Sequence, residues 1–124
     1  MIRIDLPWSK PPLTGNRTRG NPYARANEVA VAKAAAIVAI RAAKIKPLVG
    51  ADVCLNYQIA TKHRRDSDGM FPTLKVAQDA LVTCGVLPDD SWVHVPAATC
   101  RIHPPNGQPA GMWLELHPTE EQYA

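Results

Sequence analysis

Cysteine is scarce in this chain, and the few cysteines present form no recognisable redox or metal-binding pattern. Cys54, Cys84 and Cys100 are odd in number and show no CxxC spacing. Residues 1–5 are charged from the start and lack the apolar run of a secretory leader. Together these absences indicate reduced thiols and predict a cytoplasmic protein.

The chain also lacks a long uninterrupted hydrophobic run. Its most apolar stretch, residues 29–45, is rich in alanine but carries Lys33, Arg41 and Lys44. The stretch is short for a bilayer, and these charges interrupt it. We therefore expect a soluble helix and no membrane partner.

Length and composition predict one small domain over residues 1–124. A chain of 124 residues with 46% hydrophobic residues can bury a modest core and is not typical of disorder. The net charge of +3 is mild, but the basic residues are clustered. One cluster is Arg17, Arg19 and Arg25, and the other is Lys62, His63, Arg64 and Arg65. Such clusters around acidic residues suit a bound polyanion, although a solvated surface is the better explanation of either cluster alone.

The first part of the chain predicts a strand, a loop and a long helix. Apolar and charged residues alternate over residues 2–6, which predicts a half-buried strand ending at Pro7. Residues 8–21 are rich in Pro, Gly and Asn and predict a flexible loop. Asn21-Pro22 is typical of a helix start, and we expect this helix to run to about Lys46. Its apolar residues point to more than one side, so the sheet and another subunit are its expected partners.

The remainder predicts a second helix and three further strands. The expected elements are a strand over 51–61, a helix from Pro72-Thr73 to about Gly85, a strand over 92–103 bent near Pro96, a strand over 112–116 and a frayed tail over 118–124. The order is β-α-β-α-β-β. It predicts an α+β fold with helices packed on a mixed sheet.

The pairing of the second and third strands matters for the acidic residues. If these strands pair antiparallel, the end of one and the start of the other share an edge of the sheet. Antiparallel pairing would therefore bring Asp90 towards Asp66 and Asp68.

Several aspartates and a lysine in this region favour a metal site. Asp66 and Asp68 would point to one side of an extended strand, where their like charges repel unless a cation lies between them. Mg²⁺ prefers oxygen ligands, and Lys75 at the start of the helix could neutralise charge on a phosphate. These features suggest a metal-dependent enzyme acting on nucleic acid. Taken singly, however, a polar turn explains Asp66 and Asp68 equally well, and a Pro-Asp turn explains Asp89-Asp90 better.

A zinc site is a weaker hypothesis. His94, Cys100 and His103 carry side chains that commonly bind zinc. Their spacing on one predicted strand matches no common zinc module. Ordinary packing is therefore the favoured explanation.

The same region resembles a known family. The matching features are Arg65-Asp66-x-Asp68, Lys75-x-x-x-Asp79-x-Leu81, Gly85 and Asp89-Asp90, with Leu6-Pro7-Trp8, Pro11-Pro12 and Asn16-Arg17 near the start. This combination spans most of the chain and is similar to that of the RusA-type Holliday-junction resolvases. That family consists of small dimeric endonucleases of phage and bacterial genomes. They resolve four-way DNA junctions by paired symmetric nicks, using Mg²⁺ or Mn²⁺.

The resemblance implies roles for the matching residues. The implied metal-binding and catalytic carboxylates are Asp66, Asp68 and Asp90, with Lys75 as the catalytic lysine and Asp79 and Asp89 in supporting places. If the chain is a nuclease, the residues expected to bind DNA are Arg17, Arg19, Lys62, Arg64 and Arg65. The implied setting is the cytoplasm of a bacterial host, with a homodimer as the active form.

Two alternatives stay open. Members of the family usually carry Asn after the second aspartate, where this chain has Gly69, and the segment before Lys75 is longer than in the best-known member. Those departures leave room for a non-catalytic relative that binds DNA junctions. The second alternative is a metal nuclease that prefers flaps or other branched DNA.

Overall fold

The computed structural model describes residues 1–13 and 22–119, and its elements follow the predicted order. They are β1 (Ile2–Leu6), α1 (Pro22–Ala43), β2 (Gly50–Gln58), a 3-10 turn (Ser67–Met70), α2 (Phe71–Thr83), β3 (Ala98–His103) and β4 (Gly111–Thr119). The α+β class and the order β-α-β-α-β-β are confirmed. Arg17 and Arg19 lie outside the described residues, as do most of the predicted loop and the last part of the predicted tail.

The four strands form one mixed sheet in the order β1-β4-β2-β3. Strand β4 pairs antiparallel with both β1 and β2, whereas β2 and β3 pair parallel. Strands β1, β2 and β3 therefore all run in the same direction. Their last residues, Leu6, Gln58 and His103, mark one side of the sheet, which we call the carboxyl edge.

The parallel pairing of β2 and β3 corrects one expectation. From the sequence we consider antiparallel pairing of these strands, which would bring Asp90 towards Asp66 and Asp68. The antiparallel pairing is wrong. Parallel neighbours need a long crossover, and α2 supplies it between β2 and β3. Asp90 precedes β3, so strand pairing does not bring it to the segment that follows β2.

Strand β3 is also shorter than predicted. It begins at Ala98 rather than at Trp92. The N–H of Val95 donates to the carbonyl oxygen of Ser91 at 2.8 Å, which closes a turn in the segment predicted to be extended. Pro96 follows and has no N–H to contribute to a strand ladder. Regular pairing therefore starts only after the proline.

Two other boundaries differ. Helix α1 ends at Ala43, before the predicted Lys46, because Lys44 adopts a φ of 52° in the left-handed region. Strand β4 continues to Thr119, so the tail predicted to fray from Pro118 is in part a strand.

The core lies on one face of the sheet and is mostly aliphatic. Strand side chains that are almost fully buried include Ile4, Val53, Leu55, Leu114 and Leu116. Both helices contribute to this core, and they also pack against each other. The opposite face of the sheet is covered by no helix within the described residues.

Helix α1 turns a line of apolar residues inwards. Ala32, Ala36 and Ile40 follow a spacing of four and are buried, so they lie on the side of the helix that faces the core. On the other side, Val31 and Val38 are 61% and 70% exposed. Helix α1 thus has apolar residues on more than one side, as predicted. Contact of a second subunit with its exposed side stays a prediction. Among the residues described, no helix is both long and apolar enough to cross a bilayer.

Candidate functional site

An open cleft with a volume of about 740 Å³ lies at the carboxyl edge. Its lining residues are Lys10, Pro11, Tyr57, Arg64, Arg65, Asp66, Asp68, Gly69, Met70 and Ile102. They come from the segment after β1, from the end of β2 and the segment after it, and from β3. Because three strands end on this side, loops distant in the sequence converge there. Binding sites in open α/β sheets commonly lie outside the carboxyl ends of strands.

The two aspartates of the cleft lie at the junction between a loop and a helical turn. Asp66 is extended, with φ −110° and ψ 134°, and its carbonyl oxygen accepts a hydrogen bond from the N–H of Gly69 at 3.1 Å. Asp68 belongs to the 3-10 turn, not to an extended strand as predicted. Met70 ends this turn and is only 2% exposed. The turn is therefore anchored in the core while the aspartates remain in solvent.

The basic residues beside the aspartates differ from each other. The Arg64 side chain is 90% exposed, and its Nε lies 3.8 Å from Oδ1 of Asp66. Arg65 instead folds back on its own loop and donates hydrogen bonds to Thr61 and His63. Its guanidinium also lies over the ring of Tyr57, 5.8 Å from the ring centre. Arg64 is thus available to a ligand, whereas Arg65 is engaged within the protein.

A second charged group surrounds Lys75, at the start of the second turn of α2. Its Nζ lies 2.9 Å from Oδ2 of Asp90 and 3.4 Å from Oδ1 of Asp79. We call these three residues the Lys75 cluster. The Asp90 N–H donates to Oδ1 of Asp89 at 2.8 Å, which fixes the turn that carries Asp90.

The electrostatics of the Lys75 cluster stabilise its charged forms. The hydrogen bond to Asp90 raises the pKa of Lys75, with a smaller contribution from Asp79, while partial burial opposes the rise. The same hydrogen bond lowers the pKa of Asp90. Lys75 therefore remains an ammonium group, and it balances part of the carboxylate charge around it.

The predicted site residues thus fall into two groups. Asp66, Asp68, Arg64 and Arg65 line the cleft, while Lys75, Asp79 and Asp90 form their own cluster and do not line it. Within residues 1–13 and 22–119, no group of three or more His, Cys, Asp or Glu side chains is arranged to hold a metal ion. The triad of Asp66, Asp68 and Asp90 is therefore not assembled in this structure.

The remaining predicted residues lie apart from the cleft. Lys62 is exposed in the loop after β2 but is not among the lining residues. His94 contacts the carbonyl oxygen of Val49 and His103 contacts Asn56, so each ring has a partner within the fold. These contacts agree with ordinary packing, the favoured explanation.

Sequence reasoning missed several residues of the cleft. Lys10 and Pro11 follow β1 and approach the loop after β2 only because β1 and β2 run in the same direction. Tyr57 lies within the predicted strand over 51–61, where the pattern gives it no role, yet its ring lies beneath the guanidinium group of Arg65. Pro11 belongs to the family resemblance, but no local pattern gives these residues a place in the cleft, since each owes that place to the sheet order.

The donor set of the cleft fits a hard divalent cation. Mg²⁺ commonly binds through one or two carboxylates together with waters and substrate phosphates. Asp66 and Asp68 offer two such carboxylates, and both residues are exposed at the cleft. Lys10 and Arg64 lie in the same cleft and carry charges that attract phosphate.

Comparison with protein-family models gives no match to this chain, and comparison with curated protein sequences gives none either. The resemblance to RusA-type resolvases rests on the sequence features quoted above. It stays a prediction, and the function is proposed from the site and from those features.

The uncovered face of the sheet carries a second, smaller cavity of about 320 Å³. Asn56 on this face is only 1% exposed, and its Oδ1 lies 2.8 Å from Nε2 of His103. Because an amide oxygen can only accept, Nε2 carries the proton. The His103 ring also stacks on Trp113 with ring centres 5.1 Å apart. Burial, and secondarily the charge of Arg101, lowers the pKa of His103.

This lowered pKa predicts a loss of stability in mild acid. The unfolded chain takes up the proton more readily than the folded chain, so the contribution of neutral His103 is intact above about pH 6.5 and is lost as the pH falls below it. We expect the free energy of unfolding to decline between pH 7.5 and pH 5. His103→Gln keeps a donor for Asn56 but does not titrate. The free energy of unfolding of this variant should therefore decline less between the two pH values than that of the unchanged protein, as measured by urea titrations at each pH. Equal declines in the two proteins would contradict this assignment.

Proposed function

We propose that the protein is a Mg²⁺-dependent endodeoxyribonuclease that acts on branched DNA, with the four-way junction as substrate and a homodimer as the active form. One observation carries the proposal: Asp66 and Asp68 lie in an open cleft beside the cationic side chains of Lys10 and Arg64. Carboxylates for a metal ion and cations for phosphate thus occur in one place. The specific substrate and the dimer come from the resemblance to RusA-type resolvases.

In this proposal each group has a defined task. Asp66 and Asp68 would hold the metal ion, which when bound polarises a phosphate and favours ionisation of a water molecule. Lys10 and Arg64 attract the DNA backbone and hold it against the cleft. Lys75, whose hydrogen bond to Asp90 raises its pKa, lies outside the lining of the cleft and would supply positive charge to DNA that extends to the Lys75 cluster.

The position of Asp90 supports a specific role in this scheme. The resemblance assigns it to the metal, but here it accepts a hydrogen bond from Lys75 at 2.9 Å. Orientation of Lys75 is the role that this contact supports directly. Asp79, four residues further along α2, restrains the same ammonium group from a second side.

Two-fold symmetry explains why a dimer would suit a junction. An isologous dimer presents two identical sites related by one axis. A four-way junction needs two matched cuts, which such a pair of sites can make. The exposed apolar side of α1, with Val31 and Val38, is the proposed contact between subunits.

A second candidate function is binding of branched DNA without cleavage. Lys75 already balances charge on Asp79 and Asp90, so these carboxylates need no metal ion to be tolerated. Under this candidate the cleft would bind the DNA backbone and Asp66 and Asp68 would only shape the turn. It predicts binding that weakens steeply with salt and no cutting stimulated by metal.

Cleavage of labelled DNA separates the candidates. We expect paired symmetric nicks in a four-way junction with Mg²⁺ or Mn²⁺, no cutting with EDTA, and little cutting of a linear duplex of the same sequence. A flap substrate is included, and preferential cutting of the flap would identify a nuclease of another specificity. Junction binding without any cutting under all metal conditions would contradict the nuclease and favour the binding protein.

A further inference from the structure

We propose that Arg65 is a positioning residue that fixes the loop before Asp66, and that it does not bind DNA phosphate. This inference rests on the proposed function for its catalytic consequence, but its structural part can be tested without DNA. It replaces the expectation that Arg65 binds DNA. Arg64 retains that role.

Three of the five N–H donors of Arg65 are used within the loop, including both of those on Nη1. Nη1 donates to the carbonyl oxygens of Thr61 at 2.9 Å and His63 at 2.8 Å. Nη2 donates to Oγ1 of Thr61 at 3.1 Å. The guanidinium group therefore caps the backbone of residues 61–63, which has left strand β2. A phosphate could be bound by both terminal nitrogens only if these bonds were broken.

The loop is also attached to the rigid part of the fold through Arg65. The guanidinium carbon lies 5.8 Å from the ring centre of Tyr57. Tyr57 is 7% exposed, and its strand pairs with β3 on one side and β4 on the other. A cation above an aromatic ring is attracted to it. We call these contacts of Arg65 with Thr61, His63 and Tyr57 the clamp. The clamp thus connects the loop to the centre of the sheet.

The clamp acts directly on the first aspartate of the cleft. Asp66 follows Arg65 and begins the turn by accepting the Gly69 N–H. On the other side, buried Met70 anchors the end of the same turn. Asp66 and Asp68 therefore lie between two fixed points, the Arg65 clamp before them and Met70 after them. Loss of the Arg65 contacts would release the segment that precedes Asp66.

Lysine can distinguish the two roles of Arg65. Arg65→Lys keeps the positive charge, so it preserves attraction to DNA. It loses the planar fork that serves Thr61 and His63 together. Arg64→Lys is the matched control, because the neighbouring Arg64 side chain is 90% exposed.

The first measurement is hydrogen–deuterium exchange over residues 61–69, without DNA and without metal. We expect faster exchange in Arg65→Lys and unchanged exchange in Arg64→Lys. Thr61→Val removes only the bond to Oγ1 and should give a smaller change in the same direction, while disturbing the fold less. Unchanged exchange in both Arg65→Lys and Thr61→Val would overturn the proposal, whatever the protein does to DNA.

The second measurement follows four-way junction DNA. In Arg65→Lys we expect cleavage to fall by about 10²-fold, because a small misplacement of reacting groups has that cost. The junction Kd and its dependence on salt should stay as in the unchanged protein. If Arg65→Gln weakens binding and lowers the salt dependence more than Arg64→Gln does, Arg65 is a phosphate ligand and the proposal is wrong. If the unchanged protein cuts no DNA, the proposed function fails, while the exchange measurement still decides the role of the clamp.

Discussion

Asp68→Asn is expected to reduce cleavage of a four-way junction by about 10²-fold or more while leaving the fold and junction binding intact. Asparagine keeps the size of the side chain but removes the negative charge that would hold Mg²⁺. Losing a group that stabilises charge at the reaction centre typically has an effect of this size. Asp68 is exposed, and its carbonyl oxygen, which accepts the Phe71 N–H, is unchanged by the substitution. Rates of nicking under single-turnover conditions would measure the effect.

Asp5→Asn is the matched control for this experiment. Asp5 is also an exposed aspartate, but it lies on β1 and pairs with Arg3 at 2.9 Å, on the uncovered face of the sheet. We expect its cleavage rate to match that of the unchanged protein. If Asp68→Asn unfolds the protein, the aspartate is a structural part of the turn. If it folds and cuts at the normal rate, Asp68 does not hold the metal.

Leu114→Ala is expected to lower the free energy of unfolding by about 3 kcal/mol, within the usual range for buried leucine. Leu114 is 0% exposed and lies on β4, which has β1 on one side and β2 on the other. Truncation leaves a cavity at the centre of the sheet, where the neighbouring strands restrict collapse. Urea denaturation followed by fluorescence would give the difference.

Val49→Ala provides the comparison for Leu114→Ala. Val49 is also apolar, but it is 41% exposed and lies outside the proposed contact between subunits. We expect a change within about 0.5 kcal/mol, as is usual for surface positions. Equal losses for the two substitutions would contradict the position of the core.

Much of the fold could be predicted because the sheet has one buried face. Apolar and polar residues alternate over residues 2–6 and along β2, and this alternation identifies the buried face. Both strands could therefore be predicted from the sequence. The start of β3 was not, because apolar residues before Pro96 fit a turn as well as a strand. Strand direction was also out of reach of the local pattern, although a helix between β2 and β3 favours the parallel arrangement that occurs.

The candidate site could be predicted where its residues are close in the sequence. Asp66 and Asp68 do share a cleft, and Lys75 does contact Asp79 one helical turn away. The contact between Lys75 and Asp90 joins two segments whose relative position only the packed fold defines. The same holds for Lys10, which reaches the cleft through the order of the strands. Composition likewise could not show that Arg65 differs from Arg64, since their roles depend on side-chain direction.

The 3-10 turn of residues 67–70 continues into α2 without an intervening loop. Asp68 and Lys75 therefore belong to one continuous helical body, whereas Asp66 belongs to the loop that precedes it. A tilt of α2 would move Asp68 and Lys75 together and change their distance from Asp66. Because Met70 and the buried side of α2 hold this helical body in the core, the separation of the two aspartates is set where the loop joins the turn, at residues 66–67.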